Sequence, residues 1–160
     1  MGRIVVFMGV TGAGKTTIGR LVAEQIGVPF LDADDFHDAE SIALMRAGRP
    51  LDSARRKPWL ARVNAALRSE TDGAVLACSA LTDEYRAWLT RGLDVVTFVV
   101  LTGDPDLIGA RLAGRVGHFA GADLLSSQLA TLVLPPDAIV EDVRDPAAVV
   151  AARVVDALAR

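Results

Sequence analysis

The chain has 160 residues, of which 51% are hydrophobic and 23% charged, with a formal net charge of −3. That length suits one domain with a core large enough to fold alone, and the composition excludes a disordered chain. A slightly acidic balance, with Lys and Arg spread along the sequence, gives no electrostatic case for nucleic acid, and one cysteine, Cys78, excludes an internal disulfide.

The first apolar run, Ile4 to Met8, reads as a strand. It is too short for a signal peptide or a membrane span, so a cytoplasmic protein that does not engage a membrane is expected. Directly after it, Gly9-Val10-Thr11-Gly12-Ala13-Gly14-Lys15-Thr16 fits G-x-x-x-x-G-K-[ST]. Glycines let the backbone curl so that successive N–H groups point at phosphate oxygens, and the positive end of the following helix adds attraction. Lys15 is expected to reach the β- and γ-phosphates of ATP, Thr16 to ligate Mg²⁺, and Thr17 to complete the nucleotide-binding segment. The helix runs from Lys15 to Ile26 and stops at Gly27.

A second strand, Val28 to Leu31, leads into Asp32-Ala33-Asp34-Asp35-Phe36-His37. In an extended segment Asp32 and Asp34 share one side. Phosphoryl transfer needs a carboxylate that orients the attacking hydroxyl and accepts its proton, the role expected of Asp34, while Asp32 is the candidate for Mg²⁺ or its water shell. A polar turn with capping aspartates explains the same residues. Residues 35–71 then hold two helical stretches, 38–47 and 54–69, around Gly48-Arg49-Pro50. Five cations between Arg46 and Lys57 face a single acid, Asp52, which suits either a solvated face or a pocket for a small anion.

Further strands are expected at 74–77, 95–101 and 138–140, with helices at 83–91, 106–113, 123–131 and 146–158. Cys78 ends an apolar run and reads as a buried strand residue. Short, nearly continuous apolar runs alternating with helices predict an α/β chain, a three-layer α/β/α fold around about five parallel strands. Two interruptions stand where ligands gather in such folds, residues 35–71 as a substrate-binding insertion and residues 112–123 as a glycine-rich lid. Arg111 and Arg115 are four apart and could clamp the β- and γ-phosphates, with His118 following. Asp145-Pro146 opens the last helix, and fold analogy puts the adenine near it. Two histidines without metal-ligand spacing make zinc an unattractive reading.

Taken together, the phosphate loop, Phe30 to His37, Met45 with Gly48, Pro50 and Leu51, Arg56-Lys57-Pro58-Trp59-Leu60, Cys78-Ser79-Ala80-Leu81 with Tyr85-Arg86, Arg111-Leu112 with Arg115, Gly117, His118 and Phe119, and Leu124 to Gln128 resemble the gluconate kinase family, a relative of the shikimate kinases. The resemblance implies a single kinase domain over residues 1–160, transfer of the ATP γ-phosphoryl to the 6-hydroxyl of D-gluconate with Mg²⁺, and a homodimer. It implies that Asp34, His37, Arg56, Arg86 and His118 line the sugar-acid side, with Trp59 and Cys78 packing beneath. The chain departs from the family pattern at Asp38, Ser41, Ser53 and Arg55. An Arg in place of Asp at residue 55 alters acceptor choice if it faces the pocket and changes nothing if it faces solvent. A kinase for another sugar acid, for shikimate or for a nucleotide stays open, as does a regulatory module that binds or hydrolyses ATP without an acceptor.

Overall fold

Ile4–Met8 forms the central strand, β1, and both of its faces are covered. Ile4, Val6 and Met8 point one way, Val5 and Phe7 the other, and all five are buried, which is why the run carries no polar alternation. In this computed structural model residues 2–80, 82–114 and 122–160 are described, the side chains of 122–124 excepted.

The other strands are β2 (Phe30–Asp32), β3 (Ala74–Ala77), β4 (Val96–Thr102) and β5 (Ile139–Asp142), and the order across the sheet is β2-β3-β1-β4-β5. Every pairing is parallel, with Val6 opposite Leu76 on one side and Phe98 on the other. The expected α/β architecture is therefore the observed one. Helices α1 (Lys15–Ile26) and α7 (Ala147–Leu158) cover one face through Ile18, Val22, Val150 and Val154. Helices α3 (Ser53–Ser69) and α4 (Asp83–Leu89) cover the other through Trp59, Leu60, Val63, Leu67 and Leu89. Burying one such aliphatic side chain contributes about 1.5–3 kcal/mol, so the two faces together supply the main stabilising term.

Helix α2 (Ala39–Arg46) lies in the insertion, and α5 (Pro105–Ala113) and α6 (Ala122–Thr131) lie between β4 and β5. Each strand's carboxyl end opens on the same edge because all run in one direction. That edge collects Gly9, Ala33, Cys78, Gly103 and Val143, the residues that follow the five strands. No helix among the described residues is long and apolar enough to cross a membrane.

One local expectation fails. The chain does not stay extended through Asp34; it turns at Ala33 into a single 3-10 turn, Ala33–Phe36. The cause is Asp32, whose Oδ1 accepts the Asp34 backbone N–H at 3.1 Å and so caps the turn. Asp32 and Asp34 are consequently not related by strand alternation.

Candidate active site

The phosphate loop is shaped by close approach. Gly9, Gly12 and Gly14 have φ values of 141°, 84° and 94°. A Cβ on Gly9 would sit 2.7 Å from Leu101 O, and one on Gly12 would sit 2.6 Å from Leu112 Cγ. Glycine is needed at both for space as well as for φ. Lys15 Nζ donates to Gly9 O at 2.9 Å and Val10 O at 3.0 Å, which holds the ammonium over the loop. Helix α1 starts from Gly14 with no side-chain cap and no acid in its first turn, so its leading N–H groups and positive end are left to an anion.

Thr16 Oγ1 donates to Asp32 Oδ2 at 2.9 Å. A hydroxyl and a carboxylate side by side are hard oxygen donors of the type Mg²⁺ takes. The Asp34 carboxylate lies beyond them with its side chain 87% exposed, and its Oδ1 is 3.8 Å from His37 Nε2. Crowding by the surrounding protein, then the Asp32 carboxylate, push the Asp34 pKa up, against a pull from His37 and Lys15.

His37 stacks on Trp59 with ring centroids 4.3 Å apart and planes inclined by 15°. Trp59 is itself fixed by donation from Nε1 to Ala33 O at 2.7 Å, so the 3-10 turn and α3 lock each other. The His37 side chain is 5% exposed, and its Nδ1 is buried without a hydrogen-bond partner among the described residues. Burial drives its pKa down despite the opposing Asp34 and Asp38 carboxylates, so the ring is neutral at pH 7. Cys78 lies beneath in the same core as Trp59, and burial pushes its thiol up to about 12, which makes it inert.

Arg56 donates from Nη1 to Tyr85 Oη at 2.6 Å, with its guanidinium 5.1 Å from that ring centroid. Arg55 instead points to α2, where Nη2 meets Glu40 Oε1 at 2.7 Å, and Arg62 reaches Phe36 O and Asp38. Ser41 is buried in the first turn of α2, its N–H taken by Asp38.

Arg86 takes a different place from the one the sugar-acid side would need. It is buried and donates from Nη1 to Ala80 O and Val133 O, and from Nη2 to Asp83. Ala80 has φ 43°, rare for a residue with a Cβ, so Arg86 braces a strained turn at the end of β3.

On the other side of the loop, Arg111 donates from Nη2 to Val143 O at 2.7 Å. With Gly12, Gly14, Thr17, Asp145 and Pro146 it lines a cleft of about 600 Å³. Arg153 on α7 bonds Glu141 and the cleft residue Asp145 at 2.8 Å each. The structure thus brings Arg111, the 145–146 turn and the phosphate loop together. Arg115 and His118, and most of the expected lid, lie outside the described residues.

Two polar residues at the site entered the sequence reading only as part of the family resemblance, with no role assigned. Tyr85 orients Arg56, and Gln128 Oε1 accepts the Thr11 N–H at 2.6 Å. A signal for the second existed: Gln128 is three residues beyond the buried Leu125 on one helix, hence on the same inward face.

The model of the shikimate kinase family matches residues 11–117. A probable gluconokinase of Dictyostelium discoideum is 44% identical over 141 residues, which cover 82% of this chain and 70% of that one. The thermoresistant gluconokinase of Escherichia coli K12 is 38% identical over 150 residues, 89% of this chain and 86% of the relative. Among solved structures, an unliganded sugar kinase from Janibacter sp. HTCC2649 is similar with a TM-score of 0.90 and 42% identity, covering 99% of this chain and 95% of the other.

Proposed function

We propose that this chain, which belongs to the gluconokinase family within the wider shikimate kinase group, transfers the γ-phosphoryl of ATP to the 6-hydroxyl of D-gluconate, giving 6-phosphogluconate and ADP. The observation that carries this reading is the meeting, at one sheet edge, of the phosphate loop, the Thr16–Asp32 pair and the open Asp34 carboxylate beside His37.

The triphosphate lies along the loop, where backbone N–H groups and the start of α1 balance its charge and Lys15 reaches the β- and γ-phosphates. Arg111 and the Asp145–Pro146 turn border the nucleoside, on the support of the cleft they share with Gly12 and Thr17. Thr16 and Asp32 would hold Mg²⁺, which when bound neutralises charge on the phosphate oxygens. Asp34 orients the acceptor hydroxyl and takes its proton as the oxygen attacks phosphorus; Arg115, by resemblance, spreads the charge that develops. His37 and Arg56, with His118 by resemblance, hold the sugar acid, and a guanidinium anchored by Tyr85 is suited to its carboxylate.

Arg55 pairs with Glu40 and Ser41 is buried in the first turn of α2, and neither contact needs an acceptor, which supports gluconate over a neighbouring acceptor. Resemblance to the family also supports a homodimer, which light scattering tests. For the activity, purified protein with Mg-ATP is expected to release ADP rapidly only when D-gluconate is added. A rate indifferent to gluconate, or greater with shikimate or another sugar acid, overturns the assignment.

A further inference from the structure

Gln128 stands 117 residues from Thr11 in sequence, yet its Oε1 accepts the Thr11 backbone N–H at 2.6 Å. Packing brings α6 there. Leu125, one turn earlier on the same helix face, is buried in one core with Ile108 and Leu112, the two side chains that a Cβ on Gly12 would strike.

The other edge of the same peptide is also held. Val10 C=O and Thr11 N–H belong to one planar peptide group, and Lys15 Nζ donates to that carbonyl at 3.0 Å. Lysine and glutamine therefore grip opposite edges of one rigid plane. A donor on the carbonyl and an acceptor on the N–H polarise the group in the same sense, so each bond strengthens the other. Because a backbone N–H only donates, the carboxamide orientation is fixed, with Oε1 on the loop and Nε2 turned away. Lys15 also marks which end of the loop this is, the end of the β- and γ-phosphates.

We infer that Gln128 is a positioning residue for phosphoryl transfer, holding the Val10–Thr11 peptide at the γ-phosphate end of the loop from helix α6, an assignment that rests on the loop's reading as a triphosphate cradle. The held peptide keeps the Lys15 ammonium in register with the reacting phosphorus, and misplacement by a fraction of an ångström is felt in turnover before it is felt in binding.

Two variants test this. Gln128→Glu keeps an acceptor for the Thr11 N–H and nearly the same shape but sets a negative charge beside the γ-phosphate. Calorimetry is expected to show its affinity for Mg-ATP, relative to Mg-ADP, reduced about tenfold with an unchanged melting temperature. Gln128→Met keeps the bulk and removes the acceptor; its kcat is expected to fall about tenfold with gluconate KM moved less than twofold. A mere brace on α6 would leave the ATP-to-ADP affinity ratio of Gln128→Glu within threefold of wild type, and that result overturns the inference whatever the other variant does. Should Gln128→Glu fail to fold, a wild-type kcat in Gln128→Met overturns it. The calorimetry contains no gluconate, so a wild-type protein that binds nucleotide but ignores gluconate refutes the acceptor assignment alone, and one that binds neither nucleotide refutes both.

Discussion

The phosphate loop and the insertion that follows β2 are held by different physics. Gly9 to Thr16 is fixed by backbone: three positive φ values, contacts too close for a Cβ, and a lysine folded onto two carbonyls. Residues 33–69 are fixed by side chains reaching across helices, with Arg55 on Glu40, Arg62 on Asp38, Trp59 on Ala33 O and His37 stacked on Trp59. A backbone-built site tolerates almost no substitution and varies little in what it binds. A site built from side-chain pairs can be retuned one pair at a time.

The largest expected effect would break that division if it spread to the donor side. Asp34→Asn is expected to lower kcat by about 10²- to 10⁴-fold while ATP affinity, read by calorimetry, stays within threefold of wild type. The pH dependence carries the same residue's signature. Crowding and Asp32 raise the Asp34 pKa, and a base in the proposed role must be ionised to act, so kcat/KM is expected to be lost, as pH falls, at a higher pH than an ordinary aspartate would give. The stability sign is opposite: a raised folded pKa means that ionised Asp34 opposes folding above it. Asp34→Asn should therefore melt slightly higher at pH 7, and only slightly because the side chain is mostly in solvent. A melting temperature lowered by several degrees would contradict this.

Next comes the loop's backbone. Gly9→Ala puts a Cβ 2.7 Å from Leu101 O at φ 141°, and a cost of about 2–3 kcal/mol is expected in urea unfolding. A neutral result would mean that the loop yields as easily as the insertion does.

A smaller, one-sided effect is expected from Tyr85→Phe, which removes the hydroxyl that Arg56 holds. Gluconate KM should rise about tenfold, the scale of a hydrogen bond to a charged group, with ATP KM unchanged in steady-state assays. Smallest of all is Arg55→Ala. Its partner is an exposed glutamate on α2, so gluconate KM should change less than twofold, and a larger change would place residue 55 in the acceptor cleft after all.

The same contrast explains what could be read in advance. The five strands, the seven helices among the described residues and the phosphate loop follow from local pattern: apolar runs, 3.6-residue periodicity and a glycine-lysine motif whose geometry is set by its own backbone. The 3-10 turn at Ala33 was hidden because a strand continuing to Asp34 and an aspartate-capped turn fit the same letters; Asp32 does the capping with Oδ1, while its Oδ2 accepts from Thr16 at the phosphate loop. Arg86 resembled a ligand-binding arginine by neighbourhood, and only the fold shows Ala80 O and Val133 O around it.

By itself, then, the sequence determined that this is a parallel α/β kinase with a triphosphate loop, because those features are carried by contiguous residues. The tertiary structure alone decided that Arg56 meets Tyr85, that Arg55 meets Glu40, that Arg86 meets Ala80 O and Val133 O, and that Gln128 touches the loop. Those contacts join segments tens of residues apart, and no local preference encodes which side chain meets which until the sheet has brought the strand ends to one edge.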